Sequence, residues 1–328
     1  MTSTPPTIGA APGTRERVIL LAAIAFTVLA WASAFVVIRG VAPHVGGGEL
    51  ALGRLAVGAL ALGILVLAQR RWVRPTGRDW IRLAVYGAGW FGAYNVTLNL
   101  AEQTLDAGTT AMIVNIGPIL IALGAGLFLG EGIPRWLAIG AGVAFLGVVL
   151  IGVGTSMTAA GERPIDPVGV LWSLAAAFTY ALGVLAQKPM AGRLPAGQMS
   201  LIGCVIGFVA CLPFTGGLVA DLATAPAGAW AGILYLGIVP TALAFTTWGY
   251  ALARVPAGQL GVSTYVVPPL AILMGLIFFG EVPAVLGIVG GVICLLGVAL
   301  SRRKPRVAVP VAPGAQGPVP AAAKNLPE

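Results

Sequence analysis

The chain has 328 residues, of which 58% are hydrophobic and 9% are charged, and its mean hydropathy is +0.95. Soluble globular domains usually carry about 25% charged residues, so this composition excludes a soluble fold and indicates a chain that lies mostly within a bilayer. The formal net charge of +8 does not indicate a nucleic-acid partner, because the basic residues cluster between apolar segments.

Ten apolar runs, separated by Gly, Pro or charged turns, follow one another along the chain. A hydrocarbon core about 30 Å thick needs about 20 apolar residues per helix, so each run is long enough to cross it. We predict an all-α polytopic membrane protein with ten transmembrane helices, at residues 18–38, 50–68, 80–100, 108–128, 136–153, 167–187, 198–217, 229–249, 259–279 and 283–300.

The residues that usually carry metal or nucleotide chemistry are scarce. The three cysteines show no CxxC spacing, and the single histidine, His44, has no partner at metal-ligand spacing. We therefore predict neither a disulfide framework nor a metal site. None of the three lysines ends a GxxxxGK[ST] loop, which disfavours ATP-driven pumping by this chain. The sequence predicts no cofactor.

The distribution of Lys and Arg predicts the orientation, because cytoplasmic loops retain basic residues. With the N-terminus inside, 16 of the 19 basic residues fall in cytoplasmic segments, Arg39 and Arg163 lie outside, and Arg54 lies within span 2. Both termini are therefore expected in the cytoplasm. The first span is also compatible with a signal peptide, since residues 32–34 resemble a cleavage site, but cleavage would remove one helix from a matched set of ten.

The sequence repeats itself at an offset of 150 residues. Residues 107–150 share 13 identities with residues 257–300, including Pro118 with Pro268 and Gly130-Glu131 with Gly280-Glu281. Apolar composition alone does not produce such coincident Pro and Gly-Glu positions. We predict a five-helix unit written twice: a first repeat at 18–153, an outer linker at 154–166, a second repeat at 167–303, and disordered cytoplasmic tails at 1–17 and 304–328.

An odd number of helices per unit means that the second unit crosses the membrane in the opposite sense. Glu131 is then expected at the cytoplasmic face and Glu281 at the outer face, where each stabilises the N-terminus of the helix that follows. Inverted repeats are a recurring architecture of secondary transporters, in which a midplane site opens alternately to each side. The repeat therefore predicts a secondary transporter.

The order and spacing of these segments resemble the drug/metabolite transporter superfamily and its EamA-type ten-helix members. The resemblance covers residues 18–303 and rests on WASAFVVIRG in span 1, LALGRLAVGALAL in span 2, LAEQTLDAGTTAMIVNIGPILIALGAGLFLGEGIPRWLAIGAGVAFLGVVLIG, and its second copy YALARVPAGQLGVSTYVVPPLAILMGLIFFGEVPAVLGIVGGVICLLGVAL. Ala32 and Arg39 depart from the Gly and Lys that many members carry. The resemblance implies export or exchange of small metabolites, most typically amino acids, across a bacterial-type cytoplasmic membrane.

Two side chains beside the matched prolines are the first candidates for the substrate pathway. Asn115 and Tyr265 are equivalent at the 150 offset, each three residues before Pro118 or Pro268. Each proline breaks its helix and frees the carbonyl four residues back, that of Thr264 in the second copy, for substrate or water. The alternative is that both side chains only hydrogen-bond neighbouring helices.

Aromatic and amide side chains within the spans are further candidates. Polar groups in a membrane are costly and usually face a cavity or another helix. We place Trp31, Trp90, Tyr94, Asn95 and Tyr180 along the pathway, where the rings can line a cavity for apolar or aromatic substrates. Packing between helices is the alternative.

Arg54 is the one charged side chain well within an apolar run. Guanidinium geometry suits a substrate carboxylate. Two structural alternatives stay open, because the side chain can also snorkel to the interface or pair with Glu49 or Glu102. No Asp or Glu lies at a mid-span position, so the sequence offers no obvious carboxylate for proton antiport.

The function predicted from these features is secondary export or exchange of small metabolites, with amino acids as the first expectation. A multidrug exporter of lipophilic cations is the alternative, which the lack of a mid-span carboxylate disfavours. An intramembrane hydrolase would need a Ser/His pair, and His44 lies in an outer loop; a non-transporting scaffold would not need polar residues at matched breaks. The expected partners are a small-molecule substrate and the lipid bilayer, and both a monomer and a homodimer fit the sequence.

Overall fold

The computed structural model describes residues 14–128, 135–153, 166–252, 254, 263–281 and 285–301. These residues are helical throughout, apart from short turns and an isolated bridge between Ala191 and Leu194, and no β-strand occurs among them. The predicted all-helical class is therefore confirmed for the described part of the chain. Gly130, Glu131 and Pro134, which the repeat singled out, lie outside it.

The α-helices in chain order are α1 (Thr14–Val41), α2 (Gly47–Gln69), α3 (Gly77–Tyr86), α4 (Tyr94–Thr104), α5 (Ala107–Val114), α6 (Gly117–Phe128), α7 (Arg135–Val153), α8 (Pro167–Gln187), α9 (Ala196–Ala210), α10 (Thr215–Thr224), α11 (Ala227–Leu236), α12 (Ala244–Leu252), α13 (Val267–Phe279) and α14 (Val285–Ser301). Three 3₁₀ turns occupy Lys188–Met190, Leu212–Phe214 and Thr264–Val266.

Several of these helices are suited to cross a membrane. Within the described residues, four are long and apolar enough by themselves: Arg15–Val41, Gly47–Gln69, Pro167–Met190 and Ala227–Leu252. A bent pair, Ala196–Ala210 with Leu212–Thr224, makes a fifth when taken as one span. Shorter apolar helices occupy Ala107–Ile121, Ala138–Leu150, Thr264–Phe279 and Val285–Gly297. The chain is thus a multi-pass membrane protein by length and composition, with fewer full-length spans than the ten predicted.

Two π-helical stretches lie at matched positions in the two halves. One, π1 (Gly87–Ala93), joins α3 to α4, and the other, π2 (Gly237–Leu243), joins α11 to α12 exactly one repeat offset of 150 residues later. Spans 3 and 8 were predicted as uninterrupted α-helices, and both contain this wider turn. Pro240 has no amide hydrogen, and the sequence GAGWFGA of π1 has low helix propensity, so the α-helical hydrogen-bond ladder is weak in both.

Other predicted spans are broken or bent. Span 4 divides into α5 and α6 at Asn115 and Ile116, directly before Gly117 and Pro118. Span 7 was predicted as one helix over 198–217, but the chain bends by 51° after α9. Pro213 lies in the 3₁₀ turn at this bend, where it cannot continue the helical ladder.

Helices α7 and α14 cross in close contact at matched glycines. A Cβ added to Gly147 would lie 2.5 Å from both the Cys294 nitrogen and the Gly290 carbonyl oxygen, and one on Gly297 would clash with the Ala144 nitrogen. The contacts are reciprocal, since Gly147 and Gly297, like Ala144 and Cys294, are 150 residues apart. They also run in opposite directions along the two helices. Equivalent helices of the two halves therefore pack antiparallel about a local two-fold axis.

Helices of one half pack mainly on helices of the other. α2 packs on π2 and α9 on π1, while α1 contacts α11, α12 and α13 and α8 contacts α3 to α6. Gly237 permits one of these approaches, because a Cβ there would lie 2.8 Å from the Arg54 carbonyl oxygen. The largest apolar cluster surrounds α1 and includes Phe35, Ile38 and Leu236. This interleaving leaves a cavity between the two halves.

Asp79 stabilises the beginning of α3. Its carboxylate accepts hydrogen bonds from the nitrogen and the hydroxyl of Thr76, each at 2.6 Å, and the Thr76 oxygen accepts from the Asp79 nitrogen, which completes a capping box. Arg193, from the turn before α9, forms an ion pair with Asp79. These contacts lower the pKa of Asp79 to about 2, with the hydrogen bond from the Thr76 side chain as the largest cause.

We expect the stability of the protein to fall between about pH 4 and about pH 2 because of Asp79. Its pKa in the folded state is below the ordinary value of 3.8, so the stabilisation is present above that value and is lost as the pH falls through the folded-state pKa. Asp79→Asn should lower the apparent Tm in detergent at neutral pH and weaken its acid dependence. Glu16→Gln, which changes an exposed carboxylate, is the control. Identical pH profiles for Asp79→Asn and the parent would contradict this role.

Candidate functional site

A cavity lies between the two halves and contains about 730 Å³ of space free of protein atoms, including its open part. Of the eight predicted pathway residues, all but Tyr265 line it. Their role in transport stays a prediction, but the structure brings them to one place. The lining consists of Trp31, Ala34, Phe35, Arg54, Trp90, Tyr94, Asn95, Leu98, Ala111, Val114, Asn115, Tyr180, Pro240, Phe245, Thr264 and Val267.

Arg54 is buried in the wall that α2 contributes. The residue is 5% exposed, and its Nη2 donates a hydrogen bond to Thr241 Oγ1 at 3.1 Å. The Thr241 hydroxyl donates its hydrogen to the Leu236 carbonyl at 2.8 Å. The Thr241 oxygen therefore acts as the acceptor for the Arg54 guanidinium. Nε and Nη1 of Arg54 have no hydrogen-bond partner among the described residues. Buried donors of this kind are costly unless an acceptor binds to them.

The two structural alternatives for Arg54 do not fit this geometry. Burial excludes a side chain that snorkels to the interface. Over the described part of the chain, no ion pair joins Arg54 to Glu49 or Glu102. Arg54 is also the one charged residue among the described residues that line the cavity. An anionic group of a bound molecule would therefore meet an unopposed positive charge.

Aromatic rings form one side of the cavity. Trp90 lies against Tyr180 and Phe245, with ring centroids 5.0 Å apart in each pair, and Trp31 lies 5.7 Å from Phe245. The Trp31 indole nitrogen donates to the Pro240 carbonyl at 3.3 Å, which fixes its ring. Such a surface binds apolar groups by burial and by ring stacking. Phe245 was missed in the sequence, although it is the counterpart of Asn95 at the repeat offset.

The π-helical stretches position part of this wall. Trp90 from π1 and Pro240 from π2 are equivalent at the repeat offset, and both line the cavity. A π-helical turn is wider than an α-helical one, so it displaces the side chains and carbonyls that follow; such turns occur frequently at functional sites. The sequence showed the glycines and the proline but not the change of helix type.

Two amides add polar atoms to the cavity. Asn95 donates from Nδ2 to the Phe91 carbonyl at 2.7 Å, and its Oδ1 is buried with no partner among the described residues. Asn115 ends α5, is 7% exposed, and has a buried Nδ2 that likewise lacks a described partner. The lining thus offers donors from Arg54 and Asn115 and an acceptor from Asn95. This set is complementary to a molecule with a carboxylate and an ammonium group.

The second proline break differs from the prediction. Pro268 lies in the first turn of α13, after the 3₁₀ turn Thr264–Val266. The Thr264 carbonyl was predicted to be free, but it accepts a hydrogen bond from the Val267 amide. Thr264 lines the cavity, whereas Tyr265 packs against the apolar cluster around Ile116 and Cys294. Successive side chains of a 3₁₀ turn point about 120° apart, so a one-residue difference moves Tyr265 to another face.

The fold and the cavity define this class of protein: a multi-pass membrane transporter built from two related helical units. The profile of the EamA-like transporter family matches residues 17–153 and again residues 167–303. The chain belongs to this family. The two matches confirm the predicted drug/metabolite transporter relationship and its repeat.

Two known proteins of similar sequence are named as an exporter and a transporter. A probable terminal-alkyne amino-acid exporter of Streptantibioticus cattleyicolor is 36% identical over 284 residues, which cover 86% of this chain and 93% of the relative. The uncharacterized transporter YdfC of Bacillus subtilis is 31% identical over 284 residues, covering 84% and 88%. One crystal structure of a protein superposes with a TM-score of 0.57 at 20% identity, over 87% of this chain and 96% of that chain, and shows the fold alone.

Proposed function

We propose that the protein is a secondary transporter that exports or exchanges amino acids by alternating access between two inverted five-helix repeats. The observation that carries this proposal is the buried Arg54, which lines a cavity with no carboxylate among its described lining and has two donors without a described hydrogen-bond partner. An amino-acid carboxylate can accept a charge-assisted hydrogen bond from one of these donors. The substrate ammonium then donates a hydrogen bond to Asn95 Oδ1, which has no described partner.

The aromatic wall extends the proposal to the substrate side chain. Rings from Trp31, Trp90 and Phe245 favour an apolar or aromatic side chain over a charged one. The relative in Streptantibioticus cattleyicolor is named for an amino acid with an alkyne group, which is also apolar. We therefore place apolar amino acids first. A lipophilic cation fits less well, since Arg54 would repel it.

The proposed topology has ten spans. The nine apolar helices or pairs described above supply nine, and residues 80–100, which belong to α3, π1 and α4, supply the tenth. The antiparallel crossing of α7 and α14 supports opposite senses of the two repeats. The excess of basic residues in alternate loops supports cytoplasmic termini and a location in the cytoplasmic membrane.

Counterflow in liposomes tests this proposal. The full chain is reconstituted into vesicles loaded with unlabelled phenylalanine, and entry of labelled phenylalanine, leucine, lysine and glutamate is followed. We expect fast exchange of the two apolar amino acids and slow exchange of the charged ones. Phenylalanine amide, which lacks the carboxylate, should exchange poorly. Absence of counterflow for every amino acid would refute the amino-acid proposal, and exchange of the amide at the rate of phenylalanine would refute the role of Arg54.

A further inference from the structure

Glu102 is a buried carboxyl that the proposed substrate site does not use. It lies near the end of α4, is 0% exposed, and neither of its carboxyl oxygens has a hydrogen-bond partner among the described residues. An ionised carboxylate in such surroundings is costly, so the arrangement suits the protonated, neutral form. From the sequence, Glu102 was considered only as a possible partner of Arg54.

An ion pair between the two halves lies directly beside Glu102. Arg39, at the end of α1, donates from Nε and Nη2 to Glu281 Oε1 at 3.2 and 3.1 Å, and from Nη1 to the main-chain carbonyl of Glu102 at 2.9 Å. We call Arg39, Glu281 and the Glu102 carbonyl the outer latch. Glu281 was predicted to stabilise the following helix, which begins outside the described residues; in the structure its carboxylate binds Arg39.

The backbone holds Glu281 in position for this pair. Gly280 adopts φ +63°, a left-handed conformation that glycine adopts without strain. The Gly280 amide donates to the Leu276 carbonyl at 3.0 Å, and the Glu281 amide donates to Gly275 at 3.3 Å. The Gly280 bond is the 5→1 bond of an αL motif, which ends α13 and presents Glu281 to the other half of the chain.

The outer latch lies next to the cavity. Arg39 follows the lining residue Phe35 by four positions on α1, and Glu102 follows the lining residue Leu98 by four positions on α4. Four positions are about one helical turn on the same face, or roughly 6 Å. Separation of the outer latch would therefore loosen the two halves at this end of the cavity.

Several charged groups lie near the Glu102 carboxyl. Arg39, Asp106 and Glu281 are close enough to interact electrostatically with the Glu102 carboxyl. Asp106 Oδ1 accepts the Thr109 amide at 2.8 Å as the cap of α5, so it does not draw Arg39 away. Of the helices packed on α4, α8 carries no charged residue and has Tyr180 as its titratable group, and α2 brings Glu49 and Arg54. α1 brings Arg39, with Arg15, Glu16 and Arg17 at its opposite end, Asp106 caps α5, and α4 itself adds Tyr94.

We propose that Glu102 is a proton-binding site, and that loss of its proton draws Arg39 from Glu281 and opens the outer end of the cavity. The proposal rests on the proposed transport function and names a ligand, the proton, that acts on it. While Glu102 is neutral, Arg39 forms its ion pair with Glu281, as in the structure. When the carboxyl releases its proton to external water, the new carboxylate competes for a guanidinium that already contacts the same residue. Acid outside then closes the latch, and alkaline conditions open it.

Thiol labelling measures this opening without any substrate. Ala34, a small and buried lining residue, is replaced with cysteine (Ala34→Cys) in the full chain in liposomes, and a membrane-impermeant maleimide is added outside. Gly216→Cys, at an exposed position with no atoms nearby, corrects for the pH dependence of the reagent. We expect the corrected labelling rate to rise about tenfold from about pH 5.5 to about pH 8, as a shift between two states would produce.

Variants of the outer latch identify the group responsible. In Glu102→Gln the rate should stay low at both pH values, and in Glu281→Gln it should stay high at both. Glu49→Gln, which neutralises another glutamate at the same end of the molecule, should keep the dependence of the parent. A flat rate in the Ala34→Cys parent, a parent-like rise in Glu102→Gln, or loss of the rise in Glu49→Gln would overturn the proposal.

The counterflow experiment separates this failure from failure of the proposed function. Normal amino-acid exchange with pH-independent labelling would refute the proton site and leave the proposed transport function standing. Labelling that depends on Glu102, without exchange of any amino acid, would refute the proposed substrate class and leave the proposal for the outer latch standing.

Discussion

Arg54→Gln is expected to lower the affinity for exchanged amino acids about 30-fold, because a charge-assisted hydrogen bond contributes about 2 kcal/mol. The initial rate of counterflow at low substrate concentration should fall by a similar factor. Glutamine is shorter and offers one amide in place of the forked guanidinium. Since Arg54 has two unused buried donors without substrate, its removal should not lower the apparent Tm. The expected pattern is thus lost transport in a stable protein.

Two further variants make this result specific. Arg78→Gln, at an exposed position before the third span, removes the same charge and should leave counterflow unchanged. Thr241→Val removes the one described hydrogen-bond partner of Arg54 without changing the side-chain shape much, and it should weaken transport by a smaller factor. Parent-like counterflow in Arg54→Gln, at substrate concentrations below half-saturation, would exclude Arg54 from substrate binding.

Gly147→Ala is expected to give the largest loss of stability among conservative substitutions in α7. The new Cβ would lie 2.5 Å from backbone atoms of Gly290 and Cys294, and backbone cannot yield as a flexible side chain can. Overpacking of this kind costs about 1–3 kcal/mol. The apparent Tm in detergent, followed by tryptophan fluorescence, should therefore fall by several degrees. Reduced yield of folded protein would accompany it.

A matched control lies five residues away on the same helix. A Cβ on Gly142 would meet no atom within 4 Å, so Gly142→Ala should be neutral or slightly stabilising. Gly297→Ala makes the equivalent clash from α14 and should behave like Gly147→Ala. If Gly147→Ala were as stable as Gly142→Ala, α7 and α14 would not cross at these glycines, and the support for inverted repeats would be lost.

The candidate site shows where reasoning from sequence succeeded and where it stopped. Trp31, Trp90 and Asn115 were identified because aromatic and polar residues in an apolar run need a cavity or a partner helix. Tyr265 was chosen through its equivalence with Asn115, yet Thr264 lines the cavity. The repeat offset aligns positions along the chain, but a local 3₁₀ turn rotates the side chains, and no residue pattern signalled that turn.

Contacts between segments far apart in the chain could not be predicted from the sequence. Arg54 meets Thr241, which is 187 positions away, and Arg39 meets Glu281 across 242 positions. Each of these residues fits several partners by chemistry alone. The burial of Glu102 has the same origin, because a glutamate at a span end is solvated or enclosed according to the helices around it.

The sequence by itself determined that this protein lies mostly within a membrane, that it is helical, that it contains a repeat, and which family it belongs to. Apolar length, charge distribution and the 150-residue offset are properties of order along the chain, and they do not depend on how helices pack. Only the tertiary structure decided which polar atoms lack partners, where the helices change type, and which face of each helix meets the cavity. Those features depend on small rotations and close approaches between segments far apart in the chain, because a shift of one residue turns a helical side chain by about 100°.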